Sequence, residues 1–320
     1  MKNLDRTSWI GIVVCLALLF AWGWWNTKEA ARIAAEEALK PKPVAQASPE
    51  TSKTSPEAAE AKTERTAPAP GSPQEETAVI ENDFIRLRLT NVGAGVVVAE
   101  MKKHPRHLGE PSLIAINENA SHPVGSLSDG PKQYDETVWS VVSKSEREVA
   151  YETQAPDGLV LRKTFRLPGE GADPYEISVT LEATNKGEAA VALGNRYFYA
   201  GSAAPLHLNE WSMQIGSYWM GKDGDFKYKA VDHFGGRKFL GFGGSEKPHD
   251  TFDLNELHWA GVNDQFFTTI VKPAQAYPGE VWIGRFPVTV EGNEAESRKK
   301  RMFASELALS LPKETVAPGA

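Results

Sequence analysis

Tyr175-Glu176-Ile177-Ser178-Val179-Thr180-Leu181-Glu182-Ala183-Thr184-Asn185 alternates without a break. Tyr175, Ile177, Val179, Leu181 and Ala183 fall on one face of a strand, and the polar residues between them fall on the other. Successive strand side chains point to opposite sides, so this spacing predicts a strand with one face on a core and one in water. Such strands belong to antiparallel sheets. Asn185-Lys186-Gly187 supplies the following turn.

The same pattern recurs along the chain. Ile85, Leu87 and Leu89 alternate with Arg86, Arg88 and Thr90. Asn91-Val92-Gly93 is a turn, and residues 96–101 are expected to pair back as a hairpin. Further strands are expected over 137–142, 149–153, 159–167, 190–193, 265–271, 280–286 and 303–311. In the last of these Phe303, Leu307, Leu309 and Leu311 share a face. Residues 102–135 carry many Pro, Gly, Ser and His and read as a long loop with short strands. Residues 205–255 mix aromatic residues with glycine pairs and resist assignment. After residue 77 nothing has a helical period of comparable strength. The expectation is an all-β fold, a large antiparallel double-layered sandwich over 77–312.

The segments before it are of another kind. From Trp9 to Trp25 the chain is apolar and uncharged. As a helix this run covers about 24 Å, and flanking residues extend it to a membrane span at 9–27. Trp9 at one end and Trp22, Trp24 and Trp25 at the other suit the two interfaces. A cleavable signal peptide would need small residues where those three tryptophans stand. Lys2 and Arg6 precede the span and Lys28, Arg32, Lys40 and Lys42 follow it, so charge does not decide its orientation. Residues 1–8 form a short polar terminus. Residues 28–40 are Ala-, Glu- and Lys-rich and continue the helix until Pro41. From there to residue 76 the composition is that of a disordered tether, completing a linker at 28–76.

The formal charge of −7 over 320 residues argues against nucleic acid as a partner. Cys15 is the only cysteine, which excludes an intrachain disulfide. Val14 before it is not the small residue that lipoprotein processing needs. Chemistry-bearing patterns are sparse. His104 and His107 are close, but Pro105 lies between them in a loop and no acidic cluster adjoins. The glycine-rich stretches at 235–238 and 241–244 lack the Gly-Lys-Ser/Thr ending of a phosphate loop and read as turns. Asn119-Ala120-Ser121 fits a glycosylation triplet that is frequent by chance. Arg298-Lys299-Lys300-Arg301 reads as a solvated loop, or as a contact with anionic headgroups. Trp211, Tyr218, Trp219, Phe226 and Tyr228 read as core before they read as a ligand groove. The acid/base pairs that a sugar-transforming enzyme would need are His207 with Glu210, or His258 with Glu256.

Four stretches carry a resemblance. They are Asp5-Arg6-Thr7-Ser8-Trp9-Ile10-Gly11 leading into the span, 82–95 with Gly93 and Ala94 at its turn, Lys163-Thr164-Phe165-Arg166-Leu167 with 175–185, and 259–269 with Trp259, Asp264, Phe266 and Phe267. In this order they resemble the bacterial YidC membrane protein insertases, where Gly93 and Ala94 stand at the family's Gly-Gly. The most specific part is 259–269, on the family's Trp-x-x-x-x-Asp-x-Tyr/Phe-Phe pattern. The resemblance implies a cytoplasmic N-terminus in the bacterial inner membrane and a periplasmic β-supersandwich similar to sugar mutarotase-like domains. It implies insertion and folding of inner-membrane proteins without covalent chemistry, alone or beside the Sec translocon. No cofactor, metal ligand, catalytic residue or nucleic acid is implied. The partners implied are nascent inner-membrane proteins, the Sec translocon with its accessory proteins, and the lipid bilayer. The resemblance also implies insertion through a hydrophilic groove, which the family builds from later spans, and no long apolar run follows Trp25. Residues 313–320 are therefore expected to start a connection to such spans. A membrane-anchored, carbohydrate-binding or mutarotase-like periplasmic protein is the alternative.

Overall fold

The computed structural model describes residues 75–120, 122–194, 196–236, 238–239, 242–243 and 245–320. The expected span, Cys15, the linker up to residue 74, Ser121 of the glycosylation triplet and much of the second glycine-rich stretch lie outside them. No helix among the described residues is long and apolar enough to cross a membrane.

Strands β1 (Thr77–Glu81), β2 (Ile85–Thr90), β3 (Gly95–Pro105) and β4 (Leu113–Ile116) form an antiparallel meander. Period two decides what is buried. Ala78, Ile80, Ile85, Leu87 and Leu89 point into the core, while Arg86 pairs with Glu81 and Glu100 on the outer face. The β2–β3 turn places Gly93 at φ +67°. A Cβ there would stand 2.6 Å from the Asp135 carbonyl oxygen, so both conformation and space call for glycine.

After β5 (Leu127–Ser128), a second meander runs through β6 (Ser140–Lys144), β7 (Glu148–Gln154), β8 (Leu159–Arg166) and β9 (Ser178–Asn185). Leu159, Leu161 and Phe165 of β8 face inward as their spacing predicts, and Lys163 is buried with them. Its Nζ donates to the carbonyls of Gly93 (2.7 Å), Ala94 (3.1 Å) and Gly125 (2.7 Å). It also lies 4.3 Å from the centre of the Trp139 ring. One lysine thus ties β8 to the β2–β3 turn and to the chain entering β5. Burial pulls the Lys163 pKa down to about 7, and Asp135 opposes the shift. Three acceptors need three N–H donors, which only the ammonium form has.

The stretch 175–185 departs from its expected role. The strand starts at Ser178 and lies at a sheet edge, next only to β8 among the described strands. Ile177, Leu181 and Ala183 pack against the core but are only partly buried, and Tyr175 and Val179 are each 38% exposed. The phase of the alternation is right; an edge strand simply has less of the core to cover. Tyr175 instead meets Phe84 edge-on at 5.7 Å.

The rest of the chain adds β10 (Val191–Ala192), β11 (Tyr197–Ala203), β12 (Gly216–Met220), β13 (Phe226–Ala230), β14 (Lys238–Phe239), β15 (Phe242–Gly243), β16 (His249–Leu257), β17 (Trp259–Asn263), β18 (Thr268–Val271) and β19 (Tyr277–Pro287). Helix α1 (Glu294–Lys300), β20 (Phe303–Ser310) and β21 (Thr315–Val316) complete it. A five-stranded sheet has the order β16-β19-β20-β11-β5, and a four-stranded sheet has the order β13-β12-β17-β18. All the pairings are antiparallel, and β10 pairs with β21.

The five-stranded sheet is covered on both faces. Phe198, Ala200, Val281, Ile283, Leu307 and Leu309 join the main core. Tyr199, Trp282 and Ala308 form a second cluster on the opposite face, with Tyr134 and Tyr197 packed on it. There the buried Glu306 carboxylate meets Lys132, accepts a bond from the Tyr134 hydroxyl (3.0 Å), and His122 stacks on the Tyr134 ring. Burial, with Lys132 adding to it, pulls the His122 pKa down to about 4. The segment after Leu311 also joins the fold. Buried Asn185 donates from Nδ2 to the carbonyl of Val316 (2.9 Å) and from its backbone N–H to that of Ala320 (2.9 Å).

Helix α1 corrects the reading of 298–301 as a loop. Arg298, Lys299 and Lys300 occupy its last turn, and Arg301 caps it at φ +52°. Cations are favoured at a helix C-terminus, and seven residues are too few to show a period in the sequence.

Candidate functional site

A cleft of about 510 Å³ opens where β4 and β18 approach the end of β11. Its apolar floor is made by Ile114, Ile116, Ala203, Pro205 and Phe267. Part of its lining is charged. Arg106, at the end of β3, bridges Glu118 and Glu291, and Glu294 stands beside them. Burial works against the Arg106 cation, but the two carboxylates hold its pKa above the usual value. His207 and Asp264 also line it.

Two buried carboxylates hold the backbone around these lining residues. Asp264 Oδ1 accepts the backbone N–H groups of Phe266 (2.6 Å) and Phe267 (2.7 Å), closing the β17–β18 hairpin. Glu210 Oε1 accepts those of Leu206 (2.6 Å) and His207 (2.7 Å). Burial pushes both carboxyl groups above their ordinary range. For Glu210 the Asp264 charge adds to the rise, and backbone donors oppose it in both. Among the described residues, no donor meets the second oxygen of Glu210 in hydrogen-bond geometry.

Neither acid/base pair expected from the sequence forms a dyad in a pocket. The Glu210 carboxylate takes the backbone N–H of His207, whose ring packs edge-on to Phe266 at 5.8 Å. His258 Nε2 lies 3.4 Å from Glu256 Oε1, with side chains 42% and 34% exposed, on the surface. His104 packs on Phe267, whereas His107 lines the cleft. The cleft does bring His207 near enough to Asp264 for its charge to lower the Asp264 pKa. Asp264 Oδ1, however, already holds the hairpin turn. A lining that mixes apolar and charged residues, with its carboxylates already engaged, suits binding better than proton transfer.

The sequence of 77–320 matches the family model for the YidC periplasmic domain. The chain belongs to the YidC periplasmic domain family. No curated protein sequence matches it. Among solved structures it is similar to a galactose mutarotase related enzyme from Lactobacillus acidophilus at 9% identity and TM-score 0.41, covering 77% of this chain and 94% of that one. It is also similar to a putative aldose 1-epimerase from Escherichia coli K12 at 11% identity and TM-score 0.38, covering 77% and 96%. Likenesses of this size carry no argument about activity.

Within this YidC-type domain, the family's Trp-x-x-x-x-Asp-x-Phe-Phe stretch has a physical role. Trp259 opens β17, Asp264 caps the turn, and Phe267 packs against the core. The sequence held that signal, but not the cleft that the turn borders. The aromatic residues after 205 divide. Trp219 is core and Tyr218 is nearly buried, but Trp211, Phe226 and Tyr228 are 64%, 51% and 37% exposed. The outer-face positions Tyr218, Phe226 and Trp259 touch one another. The basic block is engaged with protein: Arg301 bonds Glu246 at 3.1 Å and Lys299 faces Glu296 at 3.6 Å.

Proposed function

We propose that residues 77–320 act as the periplasmic binding and scaffold module of a YidC-type insertase. In this reading the module is anchored by the span at 9–27, with its N-terminus in the cytoplasm, and is tethered by 28–76. It would hold emerging segments of inner-membrane proteins or the periplasmic parts of Sec accessory proteins near the bilayer. The observation that carries the reading is the family match over 77–320. The cleft supports it, because a lining of apolar and charged residues suits a polypeptide.

Two measurements test this reading. Leu108 is 98% exposed, so Leu108→Cys offers a handle for a membrane-impermeant maleimide on spheroplasts. Labelling without lysis is expected, and protection until lysis would overturn the periplasmic placement. Affinity purification of the full chain from inner membranes in mild detergent should retain the Sec translocon. Equal recovery of the translocon after deletion of 77–311 would remove the scaffold role.

A further inference from the structure

The strands that line the cleft present open edges to it. Among the described residues β4 pairs only with β3, and β18 only with β17. Consecutive residues of each line the cavity: Ile114, Ala115 and Ile116 on one side, and on the other Thr268 and Thr269, with Phe267 of the preceding turn beside them. A strand turning its face to a cavity would contribute alternate residues. These strands therefore turn their backbone edges to it. Both are four residues long, roughly 13 Å at about 3.3 Å per residue.

Open edges invite pairing, and proteins usually guard them with charge. The other long edges here follow that rule. β1 carries Glu81, β6 carries Lys144, β9 carries Glu182, β13 carries Lys227 and Lys229, and β16 carries Asp250, Asp253 and Glu256. Among edge strands of four or more described residues, only β4 (Leu-Ile-Ala-Ile) and β18 (Thr-Thr-Ile-Val) have no charged residue. The two unguarded edges share one cleft.

We propose that the cleft takes an extended segment of a substrate polypeptide as an added strand, hydrogen-bonded to the edges of β4 and β18. This rests on the reading of the domain as a polypeptide-binding module. Main-chain bonds would supply affinity with little sequence demand, as in other strand-addition sites. Small or β-branched side chains suit the floor at Ile114, Ile116 and Phe267. Glu118 and Glu291 pair with Arg106 in the lining and Glu294 also lines it, an acidic excess that favours a basic residue in the segment.

The test uses the full chain in detergent micelles and the acetylated, amidated peptide Lys-Val-Thr-Val-Thr-Val-Thr. Its counterpart is N-methylated at alternate backbone positions. Hydrogen exchange should slow at least tenfold over 113–117 and 267–271 with the first peptide, and the second should lose that effect. Ile270→Lys guards an edge at a 52% exposed position. It should weaken peptide binding at least tenfold with an unchanged melting temperature. Equal binding of the N-methylated peptide would show a side-chain groove and overturn strand addition. Binding without protection of these edges, no binding at millimolar peptide, or self-association of the chain through them would do the same. Retention of the Sec translocon would then still stand for the module reading.

Discussion

Lys163 occupies a position that the period-two pattern of 159–167 assigns to the core, and it stays there because three carbonyls surround its Nζ. Lys163→Met would fit the space but leave those carbonyls without a donor. Unsatisfied buried acceptors cost about 1–3 kcal/mol each, so a loss of roughly 3 kcal/mol or more is expected in urea unfolding. A midpoint near wild type would show that the carbonyls find other partners. Glu210 makes a second prediction. Burial, aided by Asp264 and opposed by backbone donors, raises its carboxyl above the ordinary 4.5. The folded state therefore keeps this proton to higher pH than the unfolded chain. Its contribution to stability is present below that ordinary value and is lost as pH rises through the raised one. Glu210→Gln keeps an oxygen for Leu206 and His207 and removes the ionisation. Its stability relative to wild type should rise with pH across this window, and a difference independent of pH would contradict the buried charge. Neither role was legible in the sequence. A lysine in an alternating strand reads as an outward residue, and Glu210 stood out only as a partner for the His207 ring, which it does not meet.

Strands with one wet face were legible, and strands covered on both faces were not. The segments at 85–90, 149–153 and 159–167 appear nearly where their alternation places them. β11 reads Tyr-Phe-Tyr-Ala-Gly-Ser-Ala and is buried at nearly every position, so it has no polar phase to betray it. The 175–185 strand was legible in phase but not in depth. Leu161 is 3% exposed, and its partner across the sheet edge, Ala183, sits on the same edge strand as the half-buried Leu181. Leu161→Asp is therefore expected to abolish the cooperative thermal transition, whereas Leu181→Asp should lower its midpoint and leave it cooperative. The reverse order would contradict the placement of β9 at the edge. The β17–β18 hairpin has its own weak point at Gly261. A Cβ there would stand 2.3 Å from the Thr269 carbonyl oxygen and 3.1 Å from the Tyr218 hydroxyl. Gly261→Ala should loosen the edge strand, accelerating hydrogen exchange over 267–271 ahead of the rest of the domain. Unchanged exchange there would mean that the hairpin absorbs the methyl.

At the scale of the molecule, the all-β antiparallel class and the family were legible because many short alternating segments and the 259–269 stretch point the same way. The cleft was not, because it is assembled from β4, the end of β11, β18 and the chain before α1, segments far apart in sequence. No local pattern marks two edges that become neighbours only on folding. The account makes this cleft the place where a YidC-type periplasmic domain meets another polypeptide. The most direct test is a photo-crosslinking amino acid at Thr268 in the full chain, in living cells, with newly made proteins pulse-labelled. The account predicts adducts with nascent inner-membrane proteins, lost in the Ile270→Lys background and absent from the same probe at exposed Lys186. Equal adducts at Thr268 and Lys186, or none at either, would contradict it.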